Sequence, residues 1–150
     1  FIRGPNIMKG YLRNENPGVL EATGSELGEG WYDTGDIVEI DEDSFVKIKG
    51  RVKRFAKIGG EMVSLSMVET MVSQCWPEDL HAVVSKPDSA KGEQLVLVTT
   101  RQDAQRKELA SYAKENKLGE INVPRQIISV DKLPLLGTGK TDYQAVKVLI

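Results

Sequence analysis

The chain has 150 residues, about one domain by size and enough to bury a core without a disulfide or a structural metal. Hydrophobic residues make up 40% and charged residues 28% of it, which excludes a disordered chain, and no apolar run is long enough for a membrane-spanning helix. The net charge of -2 gives no general attraction to nucleic acid or to an anionic membrane surface.

The chain has only one cysteine and one histidine, which limits the sites that these residues could form. Cys75 is the only cysteine, so an internal disulfide is excluded, and we interpret it as a small buried hydrophobe. His81 is the only histidine, and we interpret it as structural or exposed. A His/Cys zinc site and a Ser-His triad are therefore disfavoured. The chain begins at Phe1 with a strand-like pattern, from which we expect an excised part of a longer protein.

Residues 1–52 are rich in glycine and turn-forming residues, which predicts β structure. Within them, residues 36–40 and 45–48 alternate apolar and polar side chains around an acidic turn, a pattern typical of a hairpin. This segment has six basic and ten acidic residues, whereas residues 53–150 have fourteen and twelve. The change in charge and pattern predicts a boundary near residue 52.

Residues 53–150 alternate strand and helix patterns, which predicts a small α+β domain. The turn Gly59-Gly60 is expected to join two short strands, and Ser66 with Glu69 is expected to form a capping box for the helix that follows. Asp103 is the expected cap of a second helix that Gly119 ends. The remaining predicted elements are strands at 82–85, 95–100 and 125–130 and a terminal helix from about residue 141.

A glycine-rich string at residues 137–141 imitates the end of a phosphate-binding P-loop. The spacing excludes that motif, because a P-loop needs a glycine where this chain has Pro134, which lacks an N–H. The glycines nonetheless make Lys140 a long cation on a loop that a ligand can approach closely, suited to a carboxylate or phosphate. The alternative is a solvated surface lysine.

A second string covers residues 32–36 and ends where a strand is predicted to begin. The hairpin is expected to bring Asp36 next to Arg51, which follows Gly50. A carboxylate and a guanidinium on one rim could hold the ribose diol of a nucleotide. The alternative is a salt bridge at the strand ends.

Three ordered motifs, Tyr-x-Thr-Gly-Asp (32–36), Gly-Arg-x-Lys (50–53) and Pro-x-x-x-x-Gly-Lys (134–140), resemble those of the adenylate-forming superfamily. That superfamily includes acyl-CoA synthetases, adenylation domains of peptide synthetases and beetle luciferases. The resemblance implies an α+β architecture: residues 1–52 form the β segment that ends a large AMP-binding domain, and residues 53–150 form a mobile C-terminal lid. The lid is expected to contain a β-hairpin and a mixed sheet covered by helices.

The resemblance assigns roles in adenylation to particular residues. Asp36 and Arg51 are expected to contact the ribose, with Thr34 also at the nucleotide, and Lys53 occupies the hinge. Lys140 is expected to be the catalytic lysine that orients the acyl carboxylate and stabilises charge during attack on the α-phosphate of ATP.

Other residues are implied in the thioester-forming step. Gly59 and Gly60 are expected to border the tunnel for the pantetheine arm, and Lys57 is expected to reach the AMP phosphate. Two departures from the family pattern stand at Met62 and Asp142, where many relatives carry arginine.

A closer resemblance, to the bacterial bifunctional 2-acylglycerophosphoethanolamine acyltransferase/acyl-[acyl-carrier-protein] synthetases, rests on residues 30–38, 53–58, 60–64 and 134–140. It implies that the complete protein activates a fatty acid with ATP and Mg²⁺, transfers it to acyl carrier protein, and reacylates lysophosphatidylethanolamine at the cytoplasmic side of the inner membrane. The fragment itself is expected to be soluble and inactive alone.

Three further expectations concern partners. Lys53, Arg54 and Lys57 are expected to form a basic patch that steers the acidic carrier protein, and the alternative for the patch is a solvated strand face. An acyl-CoA ligase and a non-catalytic module that docks carrier protein are the alternatives, and nucleic acid is not an expected partner.

Overall fold

A computed structural model describes residues 1–150, which form two compact units, Phe1–Lys53 and Arg54–Ile150. None of the helices combines the length and the apolar character that crossing a membrane requires.

The first unit consists of two antiparallel hairpins. They are built from β1 (Gly10–Leu12) with β2 (Leu20–Ala22) and from β3 (Asp36–Ile40) with β4 (Val46–Arg51). In the second hairpin the Asp41 carboxylate accepts the amide of Phe45 at 2.9 Å and so closes the turn. This confirms the hairpin that the alternating pattern predicts, with β4 longer than expected because it continues through the bulge beside Ile37 to Arg51.

The second unit contains a five-stranded mixed sheet in the order β6 (Glu61–Ser64), β5 (Phe55–Ile58), β8 (Gly92–Thr99) and β7 (His81–Asp88), with β9 (Gln126–Ser129) parallel beside β8. The two glycines between β5 and β6 both have positive φ, 59° and 92°, as a two-residue hairpin turn requires. The helices are α1 (Leu65–Cys75), α2 (Arg106–Glu115) and α3 (Tyr143–Val148), with short 3-10 helices at Val52–Arg54 and Glu120–Asn122.

Both faces of this sheet are covered. Alternate side chains of β8 point to opposite sides, so Leu95 and Leu97 pack with α1 and α2 while Val96 and Val98 pack with Val146 of α3. The continuous apolar run of β8 is what burial on two faces demands. The predicted α+β class, with a hairpin and a mixed sheet covered by helices, is confirmed.

The predicted helix caps are wrong by a few residues. The N-cap of α1 is Ser64, whose hydroxyl accepts the amide of Met67, because β6 runs directly into the helix and leaves Ser66 inside it. The N-cap of α2 is Gln105, since Asp103 is occupied by an ion pair with Arg101 at 3.1 Å.

The end of α2 also departs from the prediction. The helix stops at Glu115, and Lys117, with φ 58°, takes the left-handed position expected of Gly119. The amide of Leu118 then bonds the carbonyl of Ala113 at 2.8 Å, which satisfies one of the free carbonyls of the last turn.

Candidate functional site

Asp36 and Arg51 face each other at the open end of the β3–β4 hairpin. They are register partners, and Arg51 Nε lies 2.9 Å from Asp36 Oδ1. The Asp36 side chain is 15% exposed and that of Arg51 is 67% exposed, so the carboxylate is sheltered while the guanidinium extends into solvent. The pairing that the sequence motif required is therefore present.

The loop that leads into β3 is held by short-range hydrogen bonds. The Asp33 carboxylate accepts the amide of Gly35 at 2.7 Å, and the Thr34 hydroxyl accepts the amide of Asp36 at 3.2 Å. Arg51 Nη1 donates to the Thr34 carbonyl at 3.4 Å. This loop and the end of β4 line a cavity of about 310 Å³ whose walls are Asp33, Thr34, Gly35, Arg51, Val52 and Lys53.

The tyrosine that opens this motif is tied to the first hairpin. The Tyr32 hydroxyl lies 3.3 Å from the Tyr11 hydroxyl, and this hydrogen bond raises the pKa of Tyr32. The backbone of Tyr32 pairs with that of Ile2 in an isolated bridge. The strand-like start of the chain therefore contributes a single bridge to the first unit.

Lys53, the predicted hinge residue, is exposed and is the last residue of the first unit. It lies in the short 3-10 helix Val52–Arg54, and Arg54 begins the second unit. The division between the two units thus falls directly after Lys53.

The β5–β6 hairpin carries the residues predicted for the thioester step. Gly59 and Gly60 are exposed, and no heavy atom would lie within 4 Å of a Cβ added at either position. Lys57 is exposed on β5 directly opposite Met62, which is 62% exposed. The hairpin therefore presents a turn without side chains and a free ammonium side by side.

Lys140 lies on a small hairpin between β9 and α3. Its carbonyl accepts the amide of Leu136 at 2.7 Å, Leu135 pairs with Thr141, and Gly139 has φ 81°. Lys140 is exposed and has no ion-pair partner, so its ammonium is free to meet an anion. The backbone pairing of this loop fixes the main chain at Lys140, while the ammonium extends into solvent.

Asp142, a departure from the family pattern, has a local function. Its carboxylate accepts the amides of Gln144 and Ala145 and so caps α3, which begins at Tyr143. The helix therefore starts two residues after the predicted residue 141.

The proposed basic patch is wrong at Arg54. This side chain is only 15% exposed and is ion-paired with Glu69, with Nη2 to Oε1 at 2.6 Å. Its Nη1 also donates to the Val83 carbonyl at 2.9 Å, and its guanidinium carbon lies over the Tyr143 ring, 3.9 Å from the ring centre. Arg54 is therefore committed to the interior of the second unit.

Sequence reasoning missed Glu69 and Tyr143 as partners of Arg54. One indication was available for Glu69, which lies four residues after Leu65 and three before Val72 and so within the buried stripe of α1. A carboxylate on that stripe needs a partner. Nothing in the spacing identified the partner, because Arg54 and Tyr143 approach it from distant parts of the chain.

His81 and Cys75 have structural environments. His81 Nε2 donates to the Trp76 carbonyl at 2.9 Å and Nδ1 lies 2.8 Å from the Thr99 hydroxyl, which agrees with a structural role. Cys75 is half-buried rather than fully buried, because it ends α1 at the margin of the core, and burial raises the pKa of its thiol.

The chain has no group of three or more His, Cys, Asp or Glu side chains that could hold a metal ion. A further cavity of about 340 Å³, with Leu95 and Arg106 among its walls, contains none of the predicted site residues.

Comparison with known proteins gives consistent results. Residues 68–140 match the family model of the AMP-binding enzyme C-terminal domain. The chain is 33% identical over 149 residues to a probable CoA ligase of Humulus lupulus, covering 97% of the chain and 27% of that protein. It is 31% identical to the 2,3-dihydroxybenzoate-AMP ligase of Bacillus subtilis (strain 168), covering 100% of the chain and 28% of that protein.

Among solved structures, ATP-bound MatB from Rhodopseudomonas palustris aligns with a TM-score of 0.74 at 26% identity, covering 98% of the chain and 29% of that protein. The chain thus spans less than a third of the length of each of these relatives.

Proposed function

We propose that the chain carries the C-terminal domain of an AMP-binding, adenylate-forming enzyme, since residues 68–140 match the family model of that domain, and that residues 53–150 are the mobile lid of an AMP-forming acid–thiol ligase. In this proposal residues 1–52 are the end of the large nucleotide-binding domain and Lys53 is the hinge. The lid supplies Lys140 for adenylation and then presents the β5–β6 hairpin for thioester formation.

The observation that carries the proposal is the setting of Lys140. An exposed ammonium without an ion-pair partner stands on a backbone-paired, glycine-flanked hairpin. Such a cation can neutralise charge as a carboxylate attacks the α-phosphate of ATP, because the backbone that carries it is fixed and its ammonium is not already paired. A module that only docks a partner has no need of this arrangement.

The nucleotide contacts are proposed from the first unit. The Asp36 carboxylate is held by Arg51 through one oxygen, and its second oxygen has no protein partner and can accept a ribose hydroxyl. Thr34 contributes to the same loop, and the adjoining cavity gives room for part of a nucleotide.

The test of this function is ATP–pyrophosphate exchange with a fatty acid, measured on the complete protein with Lys140→Ala. Exchange is expected to fall by about 100-fold or more, as for loss of one preorganised charge at a transition state. Thioester formation from preformed acyl-adenylate is expected to survive. Lys132→Ala, at another exposed lysine before the same hairpin, is the matched control and should leave both reactions unchanged.

If exchange and thioester formation both survive in Lys140→Ala, the lysine is not catalytic and a carrier-protein docking module becomes the better account. If thioester formation is lost together with exchange, the assignment of Lys140 to adenylation alone is wrong.

For the thiol acceptor we propose acyl carrier protein, with the acyl group passing on to lysophosphatidylethanolamine in the complete protein. The support is the resemblance of residues 53–58 and 60–64 to bifunctional acyltransferase/acyl-carrier-protein synthetases. The second candidate is a CoA ligase, which the 33% identity to a probable CoA ligase favours. Thioester formation measured with CoA and with phosphopantetheinylated carrier protein, from the same acyl-adenylate, distinguishes the two.

A further inference from the structure

The Glu69 carboxylate in the second unit contacts residues from distant parts of the chain. Glu69 Oε1 accepts the amide of Val83 at 2.8 Å and pairs with Arg54 Nη2 at 2.6 Å. Glu69 Oε2 accepts the hydroxyl of Tyr143 at 3.0 Å. The carboxylate thus joins α1 to β7 and to the first turn of α3 through charge-assisted hydrogen bonds, and to the 3-10 helix before β5 through its ion pair with Arg54.

The remaining contacts make this cluster rigid. Arg54 donates to the Val83 carbonyl and its Cζ lies 3.9 Å from the centre of the Tyr143 ring, so its guanidinium has contacts on two sides. Arg54 and Glu69 are only 15% and 17% exposed. A partly buried pair of this kind fixes an orientation, because any other arrangement would leave a charge desolvated and unpaired.

The cluster stands between the predicted hinge and the loop of Lys140. Arg54 follows Lys53 directly in the chain, and Tyr143 lies three positions after Lys140. Between Lys140 and Tyr143 the chain has little freedom, because Thr141 pairs with Leu135 and Asp142 donates its amide to the Pro134 carbonyl at 3.0 Å.

We propose that Arg54, Glu69 and Tyr143 form a positioning cluster that ties the Lys140 hairpin to the segment next to Lys53, so that the hairpin turns with the hinge as one body. The proposal rests on the proposed function, since it concerns where Lys140 is placed for adenylation. None of the three side chains touches substrate in this account, and they act through the loop that carries the lysine.

The expected consequence is specific to one half-reaction. Adenylation depends on the place of the Lys140 ammonium, and a misplacement of about 1 Å is enough to slow such a step by orders of magnitude. Thioester formation uses the β5–β6 hairpin, which the cluster does not hold through Tyr143. Loosening the Tyr143 contact should therefore slow adenylation alone.

The central variant is Tyr143→Phe in the complete protein, which removes the hydroxyl from Glu69 and keeps the ring against Arg54. Its matched control is Tyr112→Phe, because the Tyr112 hydroxyl reaches Gln74 at 3.4 Å on the exposed side of α1 and α2. Arg54→Lys keeps the charge but loses the planar fork, with Arg106→Lys as its control at the Glu120 ion pair.

Two measurements test whether the cluster positions the Lys140 hairpin. Limited trypsin digestion reports the freedom of the loop, and cleavage after Lys140 is expected to become about tenfold faster in Tyr143→Phe and Arg54→Lys, the scale of one hydrogen bond to a charged group. Exchange kinetics should show kcat about tenfold lower with an unchanged KM for ATP. The control variants should match the wild type in both measurements.

The outcomes separate this proposal from the proposed function. If Lys140→Ala abolishes exchange but Tyr143→Phe changes neither cleavage after Lys140 nor exchange, the positioning role is overturned and the proposed function stands. If Lys140→Ala leaves exchange intact, the proposed function fails and the cluster has no catalytic consequence. An equal loss of adenylation and thioester formation in Tyr143→Phe overturns the positioning role, because it indicates general damage to the second unit.

Discussion

Arg51 Nε lies 2.9 Å from Asp36 Oδ1 across paired strands, yet the two side chains differ greatly in exposure, at 67% and 15%. The arginine orients the carboxylate from the solvent side and leaves Oδ2 without a protein partner. A salt bridge and a ligand-binding carboxylate are therefore compatible readings of one geometry, because the pair uses a single oxygen of Asp36.

Replacing Asp36 with Asn should weaken nucleotide binding with little effect on folding. The neutral amide is a weaker acceptor for a ribose hydroxyl, so the KM for ATP in exchange assays should rise about tenfold. Loss of an ion pair with an exposed arginine should cost no more than about 1 kcal/mol in the free energy of unfolding. Glu39→Gln, which breaks the pair with Lys49 in the same hairpin, is the control and should leave the KM unchanged. An equal effect of both variants would refute the ribose role.

Gly59→Asn should separate folding from thioester formation. Asparagine accepts positive φ and Asn-Gly is a favoured hairpin turn, so the free energy of unfolding should change by less than about 0.5 kcal/mol. The new side chain has room in the second unit itself but would stand in the proposed pantetheine path. Thioester formation should slow while pyrophosphate exchange continues.

The companion variant is Gly60→Ala, at a φ of 92°. Alanine is strained there and should cost about 1–2 kcal/mol of stability. Unchanged thioester kinetics in Gly59→Asn would remove the two glycines from the proposed tunnel.

Arg54→Met should destabilise the second unit strongly. Glu69 would keep its two hydrogen-bond donors but lose its cation while remaining mostly buried, which typically costs about 3–5 kcal/mol. Urea unfolding can be followed by Trp76 fluorescence in a Trp31→Phe background, since the chain has only 2 tryptophans. Arg106→Met, at an exposed pair with Glu120, should cost less than about 1 kcal/mol. Similar losses in the two variants would contradict the burial argument.

Tyr143 should contribute to the free energy of unfolding, and this contribution should be lost at high pH. Burial raises the pKa of Tyr143 above 10.0, and the nearby Glu69 charge adds to this rise although Arg54 opposes it. The unfolded chain then loses the phenolic proton first, so this contribution is full below the ordinary pKa and is lost as pH rises through the folded-state value. The difference in unfolding free energy between the wild type and Tyr143→Phe should therefore shrink as pH rises past about 10. A difference that stays constant or grows with pH would contradict this assignment.

Local chemistry made part of the fold predictable from the sequence. The Gly59-Gly60 turn and the acidic turn at 41–44 each determine their own hairpins, because positive φ and side-chain capping act over a few residues. The caps of α1 and α2 were predicted wrongly because several polar residues stand near each helix start and tertiary contacts select among them. Asp103 is an effective cap by type, but Arg101 occupies it.

In the candidate site too, local contacts could be predicted from the sequence and long-range contacts could not. Asp36 and Arg51 could be paired in advance, because a hairpin register places them opposite each other. The sequence suggests that Arg54 is a surface cation, because Lys53 and Lys57 lie close to it in the chain. Its partners, Glu69 and Tyr143, arrive from α1 and α3, and no periodicity within the chain encodes a meeting between three separate elements.

The position of β7 gives the Arg54–Glu69 pair a second consequence. β7 is an outermost strand of its sheet, and such strands can recruit a strand of another molecule through unpaired backbone groups. At Val83 both of those groups are already taken, the amide by Glu69 and the carbonyl by Arg54. The ion pair therefore blocks intermolecular strand pairing at Val83, and its loss should favour aggregation of the folded protein.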